Sequence, residues 1–167
     1  MGRRLILDTN VLIAYERQTL DRTTLDDDEL AIAAVSVAEY RVGIELADSA
    51  TRAADRARAL AAITSVVDVL DYTETTAVQH ARLIAHVRRT GTPRGAHDLV
   101  IAAHAAQTNR TILSYDAKAR FADLPGVLAE EPCPRQPDRI YQSNALPEAP
   151  ERHARRPVDK EGPETAL

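Results

Sequence analysis

Short aliphatic runs of strand length, separated by stretches long enough to be helices, constrain this chain more than any other feature. Leu5-Ile6-Leu7 is the first run and Thr111-Ile112-Leu113 the last clear one, with Leu30 to Val35 and Val66 to Leu70 between them. Strands alternating with helices predict a parallel sheet with helices on its faces. In such a sheet ligands bind beyond the carboxyl ends of the strands. The residues that follow each run therefore matter most.

Helix signals fill the intervals. Val11 to Tyr15 continues apolar after the Asp8-Thr9-Asn10 turn. Ser36-Val37-Ala38-Glu39 has the spacing of a capping box, which predicts a helix start at Ser36. Ala-rich, Arg-dotted sequence from about Ile44 to Ala62 reads as helix. Thr73 to Arg89 carries Ala77, Ala81, Ile84, Ala85 and Val87 near helical spacing and stops at Gly91-Thr92-Pro93. Asp98 to Gln107 is apolar nearly all round, the mark of a buried helix.

The 167 residues suffice for one domain with a substantial core. After about Glu131 the sequence changes: most of the nine prolines lie there, aliphatic residues thin out, and acidic and basic residues cancel. The expected organisation is a folded unit over 1–131 and a Pro-rich, loosely docked or disordered tail over 132–167. A single cysteine, Cys133, excludes an internal disulfide framework and fits a reducing cytosol. No apolar run approaches the roughly 18 to 20 residues that span a bilayer, and Asp8 interrupts the first run too early for a signal peptide. The expectation is a cytoplasmic protein without a membrane segment.

Net charge is −4, which argues against bulk phosphate neutralisation as a mode of nucleic-acid binding. Two local basic stretches stand out, Arg52, Arg56 and Arg58, and Arg82, Arg88, Arg89 and Arg94. Solvated helix faces account for both.

Four carboxylates occupy element boundaries: Asp8, Glu39, Asp98 and Asp116. Each has an ordinary explanation. Asp8 sits among turn and N-cap residues, and Glu39 closes the capping box. Asp98 suits a helix N-terminus, and Asp116 suits a turn after a strand. A parallel α/β fold can nevertheless gather all four at one edge of the sheet. Clustered carboxylates resist desolvation unless a cation joins them, and hard oxygen ligands suit Mg²⁺ or Mn²⁺ rather than Zn²⁺. Ser114 could orient Asp116 or contact a metal-bound water. His97 is taken as packing or bonding locally, and His104 as structural on a buried helix.

The pieces around these residues resemble the PIN-domain ribonucleases, and among them the VapC-type toxins of bacterial toxin–antitoxin pairs. They are Leu7-Asp8-Thr9-Asn10-Val11-Leu12, Ser36-Val37-Ala38-Glu39-Tyr40-Arg41-Val42-Gly43, Gly95-Ala96-His97-Asp98-Leu99-Val100-Ile101-Ala102-Ala103 and Leu113-Ser114-Tyr115-Asp116. Phe121-Ala122-Asp123-Leu124-Pro125-Gly126-Val127 completes them. The likeness covers roughly residues 4 to 130. It implies a three-layer α/β/α sandwich around a mainly parallel sheet. It also implies that Asp8, Glu39, Asp98 and Asp116 are the acidic metal-binding and catalytic set, with Thr9, Asn10 and Ser114 as supporting polar residues. The implied activity is Mg²⁺- or Mn²⁺-dependent endoribonucleolytic cleavage leaving a 5′-phosphate and a 3′-hydroxyl. The implied partners are RNA, a VapB-like antitoxin and a second copy of the chain, and the basic stretches would guide the RNA backbone.

Two other readings stand beside this one. A receiver-type Mg²⁺-binding signalling module also uses carboxylates at strand ends, with Asp71 as phosphoacceptor and Lys118 as its basic partner. A catalytically inactive PIN fold could act purely as an interaction subunit.

Overall fold

Leu5, Ile6 and Leu7 are all buried, which an aliphatic strand achieves only when both faces of its sheet are covered. A computed structural model describes residues 2–133 and shows how. The elements in chain order are β1 (Arg4–Leu7), α1 (Thr9–Glu16), β2 (Glu29–Ala33), α2 (Ala34–Glu45), α3 (Ala50–Thr64) and β3 (Asp68–Leu70). There follow α4 (Glu74–Thr90), α5 (Ala96–Thr108), β4 (Thr111–Leu113) and β5 (Leu128–Glu130). The strands form one sheet in the order β3-β2-β1-β4-β5, and every pairing is parallel.

Side chains alternate across the sheet as a period of two requires. Leu5 and Leu7 join Val11, Leu12, Leu60, Ile63, Ile32 and Leu113 on the face covered by α1 and α3. Ile6 joins Ala33, Ile112, Leu83, Val87, Leu99 and Ile101 on the face covered by α4 and α5. The three-layer α/β/α sandwich is thus the architecture observed. Helix α5 is buried along Leu99, Ile101, Ala102, Ala103, His104 and Ala105, as its apolar sequence implies.

Local chemistry sets most boundaries. The Asp8 side chain accepts from Thr9 N and starts α1. Thr73 and Thr76 cap α4 reciprocally, and Gly91, in the left-handed region at φ 63°, ends it where a side chain would be strained. Asn109 ends α5 in the same conformation.

Three expectations need correction. Helix α2 begins at Ala34, directly after β2, with Ala33 as its N-cap and no side-chain capping bond. Ser36 and Glu39 therefore form no capping box: Ser36 Oγ is buried without a partner among the described residues, and Glu39 lies in the second turn. Burial of Val35 and Tyr40 against the two apolar clusters, rather than capping, selects this earlier start. Second, the Ala-rich stretch is two helices, because Ser49 accepts from Arg52 N and opens α3 after a break at Leu46–Ser49. Third, a fifth strand was not expected. Strand β5 is three residues long and leaves Leu128 exposed, so it shows no hydrophobic alternation. Residues 134–167, most of the Pro-rich tail, lie outside the described residues.

At the opposite, amino-terminal edge of the sheet, Arg110 is buried and donates to Glu29 O at 2.9 Å, and its guanidinium also pairs with the Glu29 carboxylate. This ties the start of β4 to the start of β2 across β1.

Candidate functional site

The register Leu7↔Leu113 places the ends of β1 and β4 side by side. Asp8 N donates to Leu113 O at 3.0 Å, and the next residues on each strand, Asp8 and Ser114, meet beyond the last rung. Asp8 is only 6% exposed and accepts three hydrogen bonds. Thr9 N reaches its Oδ1 at 2.7 Å; Asn10 Nδ2 and Ser114 Oγ reach its Oδ2 at 2.6 and 2.7 Å. Asn10 also accepts from Tyr115 N at 3.0 Å through Oδ1, which locks the β4 turn onto α1.

Ser114 was expected to orient Asp116 or to contact a metal-bound water. Its oxygen does accept the Asp116 backbone N–H at 3.0 Å, and its hydroxyl in addition donates to Asp8. Ser114 thereby orients the backbone at Asp116 and the side chain of Asp8 together. The Asp116 carboxylate accepts from Lys118 N at 2.8 Å, so it also closes its own turn.

Glu39 arrives from α2 and is held by two donors from different helices. Thr9 Oγ1 donates to Oε2 at 2.5 Å, and His97 Nδ1 lies 2.6 Å from Oε1. Asp98 arrives from the first turn of α5, where its carboxylate lies close over Gly95. A Cβ at Gly95 would stand 2.4 Å from Asp98 Oδ2, so glycine allows that close approach.

These charges influence one another. Burial pushes the Asp8 carboxyl above its ordinary value, against the lowering effect of Ser114 and Thr9, and the charges of Asp98 and Glu39 push the same way. Asp98 is raised by burial, then by Asp116 and Glu39. The four carboxylates are thus one electrostatic cluster. Mutual repulsion in a partly buried site is relieved by a bound cation or by protonation. The donors are carboxylate and hydroxyl oxygens, which fit a hard divalent ion. Among the described residues no three acidic, histidine or cysteine side chains already converge on one point, so ligation requires side-chain adjustment. Cys133 is exposed and stands apart as the free thiol of the described residues.

His97 is the residue that sequence reasoning undervalued. An exposed histidine beside an acidic residue, at a helix start with no apolar stripe to join, was the signal. A cavity of about 410 Å³ lined by Leu12, Tyr15, Leu20, Leu25 and Ile63 contains none of the four carboxylates.

The basic stretches are largely committed to the fold. Arg52 pairs with Asp48, Arg58 with Asp55, and Arg56 with Glu16 and Gly43 O. Arg94 is partly buried, its side chain largely covered and bound to Thr92 O, Pro93 O and Asp123. Arg82, Arg88 and Arg89 on α4 are exposed and make no ion pair among the described residues. Arg94 and Arg56 are engaged inside the fold, whereas Arg52 and Arg58 stay exposed in surface pairs that contribute little.

The receiver reading fails on topology. A receiver sheet places its third strand beside its first, whereas here β2 separates β3 from β1 and leaves Asp71 two strands from Asp8.

Known proteins bear on the same residues. The family model described as PIN domain matches residues 5–126. Ribonuclease VapC5 of Mycobacterium tuberculosis is 36% identical over 128 residues, spanning 75% of this chain and 91% of that protein. The tRNA(fMet)-specific endonuclease VapC of Salmonella typhimurium is 25% identical over 134 residues, spanning 78% and 98%. Among solved structures, VapBC-5 of Mycobacterium tuberculosis, a member of the VapBC family of toxin-antitoxin systems, has a TM-score of 0.63 at 30% identity. It covers 78% of this chain and 98% of that one.

Proposed function

The chain belongs to the PIN-domain family, in its VapC branch of toxin ribonucleases, and we propose that it hydrolyses RNA at a metal site built from Asp8, Glu39, Asp98 and Asp116. PIN-domain nucleases of this branch depend on a metal; Mg²⁺, with Mn²⁺ as substitute, is the ion we assign to this chain. The observation that carries the assignment is the buried Asp8 carboxylate, fixed by three donors and crowded by the charges of Asp98 and Glu39.

Asp8, Asp98 and Asp116 would hold the ion, with Glu39 ligating it directly or through water. Bound there, a divalent cation lowers the pKa of its water and offsets charge growing on the phosphoryl oxygens. The remaining work falls to the chain's own residues. Asn10 and Ser114 keep Asp8 in one rotamer and exclude bulk water from it. Thr9 holds one oxygen of the Glu39 carboxylate in place. The expected products are a 5′-phosphate and a 3′-hydroxyl.

The partner is a VapB-like antitoxin, as in the VapBC complexes this chain resembles. An antitoxin Arg or Lys fits the acidic cluster, because a guanidinium or ammonium relieves the same repulsion as a cation does. The active form is a homodimer in the cytoplasm; no helix among the described residues is long and apolar enough to cross a membrane. Residues 1–131 form the nuclease unit and 132–167 an appendage, a division supported by the family match ending at residue 126.

The test is Asp8→Asn. It keeps shape and removes one charge, so cleavage of an RNA oligonucleotide should fall by about three orders of magnitude or more while the circular dichroism spectrum is unchanged. Wild-type cleavage by purified Asp8→Asn in Mn²⁺ would refute the mechanism. Folded, metal-binding wild-type protein that cuts no RNA would favour an inactive interaction subunit.

A further inference from the structure

Glu39 differs from the three aspartates in reach and in anchoring. Its side chain is longer, comes from the second turn of α2 and remains 31% exposed. A glutamate so placed samples several rotamers unless something holds it. Both of its oxygens are in fact held, one by Thr9 at 2.5 Å and one by His97 at 2.6 Å. Thr9 belongs to α1 and His97 to α5, so the carboxylate is pinned where three helices meet.

His97 has no packing reason to be where it is. Its side chain is 57% exposed and belongs to neither apolar cluster, and its Nε2 makes no hydrogen bond among the described residues. Its specific contact is the one to Glu39. A carboxylate oxygen accepts, so Nδ1 is the donor, and this bond fixes the ring orientation. An arginine or lysine at this place would also hold Glu39, but its permanent charge would compete with a cation for the cluster.

We propose that His97 is a positioning residue that fixes Glu39 for metal binding and cleavage through the Nδ1–Oε1 hydrogen bond. The inference rests on the metal-dependent reading of the carboxylate cluster. Outer partners of metal-binding side chains contribute about 10- to 100-fold to affinity or rate, and that is the range assigned to His97. Asparagine at this position can present an amide N–H near the place of Nδ1 and so retain the bond.

The experiment uses the full chain carrying His97→Ala, His97→Asn, Glu39→Ala and the His97→Ala/Glu39→Ala pair, with Asp8→Asn alongside. Mn²⁺ affinity is measured by calorimetry without RNA, and kcat and KM are measured on an RNA oligonucleotide. His97→Ala should weaken Mn²⁺ binding and lower kcat, each by about 10- to 100-fold, with KM nearly unchanged. His97→Asn should restore most of both. In the Glu39→Ala background, His97→Ala should cost nothing more, because the group it positions is gone. Losses that multiply in the double variant, a loss confined to KM, or no loss at all would each overturn the proposal. Asp8→Asn separates the two levels. If it binds Mn²⁺ and cuts like wild type, the metal-site reading fails as a whole. If it is inert while the His97 and Glu39 losses multiply, the role of His97 alone fails.

Discussion

Ser114 Oγ donates to Asp8 Oδ2 at 2.7 Å, joining residues 106 positions apart in the chain. The contact follows from the parallel pairing of β1 with β4, in which Leu7 faces Leu113 and the next residues project beyond the sheet together. It makes Asp8 a carboxylate of fixed rotamer, and it makes the Asp116 turn dependent on the same hydroxyl. The site is therefore coupled across the sheet edge.

Asp98→Asn should stabilise the metal-free protein and disable the enzyme. Burial and the charges of Asp116 and Glu39 disfavour the ionised carboxylate, and the amide removes that conflict. Without metal at neutral pH the melting temperature should rise by a few degrees. The further rise that Mn²⁺ produces in the wild type by binding the native state should shrink or vanish. Thermal melts with and without Mn²⁺ measure both.

Gly95→Ala tests the close approach beneath Asp98. The new Cβ would lie 2.4 Å from Oδ2, so the carboxylate must swing away. The clash is with the end of a flexible side chain, so the fold should survive. A displaced ligand or catalytic group costs on the order of a hundredfold in rate. Single-turnover cleavage should show that loss at nearly unchanged melting temperature.

Arg110→Ala should do the reverse. This buried guanidinium holds Glu29 at the amino-terminal edge of the sheet, far from the carboxylates along β1 and β2. Losing it removes a hydrogen bond to the Glu29 carbonyl and leaves a void, at a cost of about 2 kcal/mol. Urea titration should report that loss, while cleavage at a permissive temperature stays at the wild-type rate.

His104 should make the protein sensitive to mild acid. Burial holds its imidazole below the ordinary 6.5, opposed by the charge of Asp71. The unfolded chain therefore binds this proton at a higher pH than the native chain does. Stability from His104 is fully present above 6.5 and is lost as pH falls from there through the depressed native pKa. His104→Gln should flatten that part of a melting-temperature profile measured between pH 7 and pH 5.

Much of this molecule was readable from local chemistry. The aliphatic runs at Leu5–Leu7 and Thr111–Leu113 specify strands buried on both faces. Thr73 and Gly91 bound α4 through a capping side chain and a left-handed φ, both short-range effects. The motifs around Asp8, Glu39, Asp98 and Asp116 identified the family, because they keep their order and spacing whatever the path between them. What failed, failed where burial overrode local preference. Ser36 and Glu39 have capping-box spacing, yet packing of Val35 and Tyr40 starts α2 two residues earlier and frees Glu39 for the site. Strand β5 has no pattern of its own and exists because β4 offers it a parallel edge.

The long-range donors to Asp8 and Glu39 were beyond reach of any local reading. Composition and spacing determined that four acidic residues end or begin elements of one parallel α/β domain. Only packing decided that Ser114 serves Asp8, that Thr9 and His97 share Glu39, and that Arg94 is spent on the fold. Hydrogen bonds between residues far apart in the chain depend on register and helix docking. Those are set by the burial of apolar side chains elsewhere, and they leave no trace in the residues that make the bonds.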